Sequence, residues 1–251
     1  MKARTALLVA LLLGAAAATA QTLDEIVAKN TEARGGLTKI KAIQSARMTG
    51  TMTMGQGMEA AMVLEFKRPK MIRQEFTLQG MTGITAYDGK SGWQVMPFMG
   101  KKEPEPMSAD DLKEMEDQSD VEGDLVDWKE KGSKVELLGK DKIEGTDAWK
   151  LRVTLKDGTV KTLWLDTDSF LEIREESKRK VQGNDVEFVT TLGEYKEVDG
   201  VMVPFSYQTR PKAGSGSQTI SIKTVEFNVP VDAAKFRMPE PKPAETPAPK
   251  K

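Results

Sequence analysis

Residues Phe66–Gly100 read FKRPKMIRQEFTLQGMTGITAYDGKSGWQVMPFMG. After Pro69, Ile72, Phe76 and Leu78 fall on one side of a two-residue alternation, and Arg73, Glu75 and Thr77 fall on the other. Side chains of a strand point alternately to its two faces, so this pattern predicts a strand with one dry and one wet side. Asp88-Gly89 supplies a sharp turn, Trp93 an aromatic in the run after it, and Pro97 a stop. A methionine-dotted and then acidic segment follows and breaks the alternation. The stretch predicts a curved sheet whose strands stop to let a flap cross an apolar cavity.

The flanking sequence extends the pattern. Upstream, Met48, Gly50, Met52 and Met54 share one side, as do Met58, Ala60, Met62, Leu64 and Phe66. Downstream, strands resume at Val135, and Trp149, Leu151, Val153 and Leu155 alternate with charged residues. Asp157-Gly158, Asp166–Ser169, Gly183–Asp185 and Asp199-Gly200 punctuate the runs that follow, and Val201, Val203, Phe205 and Tyr207 alternate again. Many short strands at hairpin spacing predict a mainly β chain, an open antiparallel barrel or half-barrel with few helices. One helix opens at Thr22-Leu23-Asp24-Glu25, a capping-box sequence, with Leu23, Ile26 and Val27 as its apolar face and Gly35-Gly36 as its stop. A short helical pattern covers Leu37 to Ile43. Between Lys101 and Lys131 the strand pattern vanishes. Ser108 with Asp111 caps one predicted helix holding Leu112 and Met115, and a second helical piece holds Val121, Leu125 and Trp128. This segment reads either as a lid or as a solvated insertion.

The ends predict compartment and limits. Lys2 and Arg4, the apolar run Leu7–Leu13 and the small-residue exit Ala18-Thr19-Ala20 have the layout of a secretory signal peptide cut before Gln21. The expected division is a signal peptide at 1–20, one domain at 21–238 and an extended proline- and lysine-rich tail at 239–251. The expected location is the periplasm. Lys and Arg number 37 against 38 Asp and Glu, interspersed, which gives no nucleic-acid surface.

The chain has no histidine and no cysteine. That excludes Ser-His-Asp and Cys-His catalysis, histidine or thiolate zinc sites, disulfides and a lipobox anchor. No glycine-rich phosphate loop follows a strand. The expectation is a non-enzyme without a cofactor or a metal. A carboxylate-pair glycoside hydrolase is the enzymatic alternative, since it needs only two acids. What stands out is methionine: most of the 14 lie between Met48 and Met115. Methionine is flexible and polarizable, so such a face is either a shape-tolerant lining or an ordinary core.

Four segments resemble the periplasmic outer-membrane lipoprotein carriers, the LolA-like proteins. Asp88-Gly89-Lys90-x-x-Trp93-x-x-x-Pro97 is similar to that family's D-G-K-x-x-W-x-x-x-P, and Lys67-Arg68-Pro69 to its K-R-P. Val231–Phe236, VDAAKF, is similar to its C-terminal motif, and Tyr195–Pro204, YKEVDGVMVP, to a segment of the broader sorting-protein relatives. The resemblance implies an open antiparallel half-barrel with an N-terminal helix and lid helices over its concave apolar face. It implies a monomer that takes an acylated lipoprotein or lipid from an inner-membrane transporter to an outer-membrane receptor. It also implies that Arg68, matching the arginine of K-R-P, latches the lid by bonding lid backbone carbonyls. Parity places Met52, Met62, Leu64, Phe66, Phe76 and Trp93 in the cavity as ligand-binding residues. The alternative function is an envelope-stress or regulatory sensor that uses the same fold to bind lipid or a protein partner.

Overall fold

The computed structural model describes residues 21–240 except Gln182, and of Gln56 only the backbone. The expected signal peptide and all but the first two residues of the expected tail lie outside the described residues.

Two helices come first, α1 (Leu23–Ala33) and α2 (Leu37–Ala42). At the start of α1, Thr22 Oγ1 accepts from the Glu25 amide at 3.3 Å and Glu25 Oε2 accepts from the Thr22 amide at 2.8 Å. These reciprocal bonds satisfy amides that have no acceptor within the helix. Gly35 turns the chain with φ +112, and a Cβ there would lie 2.1 Å from the Gly200 carbonyl oxygen. Both facts demand glycine.

Six strands follow: β1 (Ser45–Met54), β2 (Met58–Lys67), β3 (Met71–Leu78), β4 (Met81–Tyr87), β5 (Gly92–Met96) and β6 (Lys101–Pro106). After α3 (Ala109–Gln118) come β7 (Lys134–Ile143), β8 (Thr146–Thr154), β9 (Val160–Asp166), β10 (Glu172–Val181) and β11 (Asn184–Gly193). The last are β12 (Lys196–Val198), β13 (Val201–Val203), β14 (Ser206–Pro211) and β15 (Gln218–Phe227). Thirteen strands form one antiparallel sheet in the order β6-β5-β4-β3-β2-β1-β15-β14-β11-β10-β9-β8-β7, and β12 and β13 pair separately. Pairing of β1 with β15 joins the two meanders into one open, curved sheet, the expected half-barrel.

The topology decides what the acidic segment is. β6 and β7 are consecutive in the chain yet form opposite edges of the sheet. Residues 107–133 therefore travel from one edge to the other, and they do so across the concave face. Here Met107, just before α3, and Leu112 and Met115 of α3 pack against Leu64, Phe66, Ile72 and Tyr87. Farther along, Leu125 joins Ile26 and Val27 of α1 over Val135, Leu151 and Leu163. Between these clusters, Ile43, Val201, Val203 and Phe205 pack on Met62 and Ile222.

Three local expectations need correction. Residues 101–106 are a strand, not part of a strandless segment; Pro104 and Pro106 are tolerated because β6 is an edge that pairs only with β5. The second helical piece is instead a run of turns, since Gly123 at φ 80 and Asp127 at φ 50 are left-handed and interrupt any helix. The alternation of Val201 to Tyr207 belongs to two sheets, divided at Pro204-Phe205.

Candidate functional site

The curved sheet and the crossing segment enclose a cavity of about 920 Å³. Its β1–β3 wall is made by Met48, Met52, Met54, Met58, Ala60, Met62, Leu64, Phe66, Ile72, Phe76 and Leu78, with Met96 and Phe98 added beyond. The register accounts for this grouping. Met62 faces Phe76 across the β2–β3 ladder and Gly50 across β1–β2, while Ala60 faces Met52, so opposed residues share one side of the sheet. Five of the residues expected from parity, Met52, Met62, Leu64, Phe66 and Phe76, therefore meet on one wall. At one end the hairpin-tip residues Met58 and Met99 also line the cavity and are 49% and 71% exposed, so this apolar end is open to solvent.

Trp93 is on the other side. It lies opposite Ala86, in a convex-face row that runs through Arg73, Glu65 and Arg47 across β4 to β1. The C-terminal turn at residues 233–236 covers this row. Trp93 Nε1 donates to the Phe236 carbonyl at 2.9 Å, Arg73 Nη1 to the Lys235 carbonyl at 3.1 Å, and Lys67 Nζ to the Val231 carbonyl at 2.7 Å. Glu65, only 2% exposed, accepts from Arg47 and Lys235. Burial alone would push its carboxyl up, but those two cations hold it below the usual value. Three of the motifs behind the resemblance thus meet to pin the C-terminus to the convex face. Parity misplaced Trp93 because the 3₁₀ cover that makes the convex face dry there is far away in sequence.

Arg68 bonds other partners than the lid carbonyls expected of it. Its Nε donates to the Ile43 carbonyl at 2.6 Å and its Nη2 to the Ile40 carbonyl at 3.3 Å, both at the end of α2. Its contact with the lid is to a side chain: Nη1 lies 2.9 Å from Glu122 Oε1. The guanidinium that bonds a lid carbonyl is Arg34, whose Nη1 donates to the Glu122 oxygen at 2.7 Å. Sequence spacing offers no signal for Arg34, which reaches the lid through the tertiary placement of α1.

The acidic residues that resembled a solvated surface fasten the lid. Lys161 Nζ lies 2.7 Å from Asp117 Oδ2 and 3.0 Å from Asp124 Oδ2, and Arg179 Nη1 lies 2.8 Å from Glu114 Oε1. Lys131 pairs with Asp120 at 2.6 Å, and Gln74 Nε2 donates to Gln118 at 2.7 Å. Burial would pull Lys161 down, but Glu175, Asp124 and Asp117 outweigh it and keep the lysine charged. One lysine shared among several acids leaves a surplus, and burial pushes the Asp117 carboxyl up.

The far wall is polar. Glu172, Glu175, Arg179, Tyr195 and Tyr207 line it with Arg34. Residues three apart in a strand normally face opposite ways, but a register shift between Glu172 and Arg174 turns both Glu172 and Glu175 inward, opposite Leu165 and Leu163. Burial, with Glu175 and Asp124 nearby, pushes the Glu172 carboxyl up to about 8, and burial raises Glu175 as well. Neither carboxylate makes a hydrogen bond or ion pair among the described residues. The sequence reading missed this wall because Glu-x-x-Glu in an alternating strand gives no hint of a bulge.

Neither a protein-family model nor a curated protein matches the sequence. Solved structures do match in fold. A LolA superfamily protein from Nitrosomonas europaea superposes with a TM-score of 0.60 at 15% identity, covering 87% of this chain and 98% of that one. A DUF1329 family protein from Desulfovibrio piger gives 0.60 at 12% identity, with 85% and 96% covered. A putative outer membrane lipoprotein-sorting protein domain from Vibrio parahaemolyticus gives 0.58 at 13%, with 84% and 94% covered. The fold is thus a LolA-like half-barrel, open and antiparallel, with its concave face lidded.

Proposed function

We propose that this protein is a non-enzymatic periplasmic carrier that holds acyl chains of lipoproteins or lipids beneath the lid and passes them toward the outer membrane. The observation that carries the reading is the cavity: about 920 Å³, with a wall of methionine, leucine and phenylalanine and one apolar end open to solvent. That volume stands at the upper end of the roughly 300–1,000 Å³ of small-molecule sites. The fold shared with the sorting proteins supports the reading, as does the signal-peptide layout of residues 1–20. No helix among the described residues is long and apolar enough to cross a membrane. An inner-membrane transporter as donor and an outer-membrane receptor as acceptor belong to the same proposal.

Burying an acyl chain is worth about 0.8 kcal/mol per methylene, while non-covalent affinity saturates near about −20 kcal/mol. A carrier must stay far from that limit to release its cargo. A loose methionine lining and a lid held by ion pairs, which water resolvates on opening, serve weak and reversible holding. Uptake of a fluorescent acyl probe tests the proposal: saturable binding that Met62→Glu or Phe76→Glu abolishes is expected. Binding unaffected by both changes would place the lipid elsewhere.

A further inference from the structure

The cavity has two chemically distinct walls, and the function proposed above uses only one. β1–β3 contribute almost entirely apolar side chains, whereas β10, Tyr195 and β14 contribute acids and hydroxyls. The cations in and just behind that polar wall are already engaged: Arg179 with Glu114 and Arg34 with the Glu122 carbonyl in the lining, and Lys161 behind it with Asp117 and Asp124. The Glu172 and Glu175 carboxylates have no such partner, nor does the Tyr207 hydroxyl among the described residues. Tyr195 Oη spends its proton on the Glu172 backbone carbonyl at 2.7 Å, which fixes the ring beside that strand. Over the whole lining, Glu114, Asp120, Asp124, Glu172 and Glu175 stand against Arg34 and Arg179 only.

We infer that this wall seats a cationic head: the Glu172–Glu175 pair receives the ammonium group of an amphiphile whose chain lies along the methionine wall. The inference rests on the carrier reading and narrows its cargo to primary amines borne on an aliphatic chain. A carboxylate on the cavity wall with no bonded partner is undersatisfied, since the nearby Lys161 is spent on Asp117 and Asp124, and a bound ammonium supplies both a directly bonded charge and up to three hydrogen-bond donors. An anionic head meets only acids and occupied arginines. Until the cation arrives, the acids reduce their repulsion by retaining a proton, as the raised Glu172 carboxyl indicates. Ammonium binding expels that proton. The groups that face the pair are Lys161 on β9, Asp117 and Asp124 on the lid, Arg34 after α1, Arg179 on β10, and Tyr195 and Tyr207.

The test is displacement of an uncharged fluorescent probe, N-phenyl-1-naphthylamine, from the purified protein by dodecylamine, dodecanol and dodecanoate. Dodecylamine is expected to displace it at concentrations roughly tenfold or more below the other two, the worth of a charge-assisted bond. Its advantage should grow between about pH 6 and about pH 8.5 as the pair loses its proton. Glu172→Gln with Glu175→Gln should erase the advantage while leaving displacement by dodecanol unchanged. The single variant Glu175→Gln should reduce it, and serves if the double variant does not fold. Comparing a diacylated lipopeptide with its N-acetylated form distinguishes the two sources of the amine. A tighter free-amine form assigns a peptide ammonium; equal binding, beside a dodecylamine preference, assigns a lipid amine. Equal displacement by all three chains would overturn the head-group inference and leave the carrier reading standing. A protein that binds neither probe nor chain would overturn both.

Discussion

The Arg34 guanidinium donates to the Glu122 carbonyl oxygen at 2.7 Å, while the Glu122 carboxylate pairs with Arg68 from the other side at 2.9 Å. One lid residue is thus gripped by two arginines, one through its backbone and one through its side chain. Hydrogen bonds to charged groups contribute about 1.5–3 kcal/mol. Arg34→Leu is expected to lower the local opening free energy of residues 119–126 by about that amount, read as faster amide hydrogen exchange there with the sheet unchanged. Arg68→Leu should loosen the end of α2 as well, because it also bonds the Ile40 and Ile43 carbonyls.

Lys161 ties the sheet to the lid through Asp117 and Asp124 in a buried setting. Removing one partner from such a group leaves an uncompensated charge, a cost of about 3–5 kcal/mol. Lys161→Met is expected to destabilise the protein by that order in urea unfolding, and adding Asp117→Asn with Asp124→Asn should recover most of it. A triple variant as weak as the single one would show that the ions act independently.

Much of the fold was readable because strand parity is a local signal. The β1–β3 side chains that alternate in sequence do alternate between cavity and exterior, and the Thr22–Glu25 capping box forms as written. The errors arose where distant chain segments decide the outcome. Trp93, expected in the cavity, lies instead on a convex face that the C-terminal turn makes dry. Arg68 sits in the expected motif, yet Arg34 carries the carbonyl bond because α1 ends beneath the lid. Glu172 and Glu175 share a face only because of a bulge. The lid was legible as a break in pattern; that it links the two sheet edges required the topology.

The Glu172 carboxyl, held near 8, makes stability depend on pH in an unusual direction. The folded state retains a proton that the unfolded chain releases near the ordinary glutamate value, so the contribution of this group is full below about pH 4.3. It is lost as pH rises toward 8, by at most about 1.4 kcal/mol per unit. Glu172→Gln, which mimics the protonated form, should match the wild type near pH 4 and melt at a higher temperature near pH 9. Identical melting curves at both values would contradict a raised carboxyl.

On the convex face, Glu65 responds oppositely. Arg47 and Lys235 hold its carboxyl below the usual value, so its contribution is present above the unfolded pKa and lost as pH falls through the folded one. Glu65→Gln is expected to cost about 1–3 kcal/mol near neutral pH, with earlier proteolysis after residue 228 as the C-terminal turn detaches. Loss of acyl-probe binding with no change in stability would place Glu65 in the site instead.

Native mass spectrometry of the protein purified gently from a bacterial periplasm tests the central claim most directly. The account predicts a co-purifying acylated molecule, retained by the wild type and lost when Met62 or Phe66 is replaced by glutamate. A protein that emerges empty from the periplasm and takes up no acyl chain afterwards would contradict it.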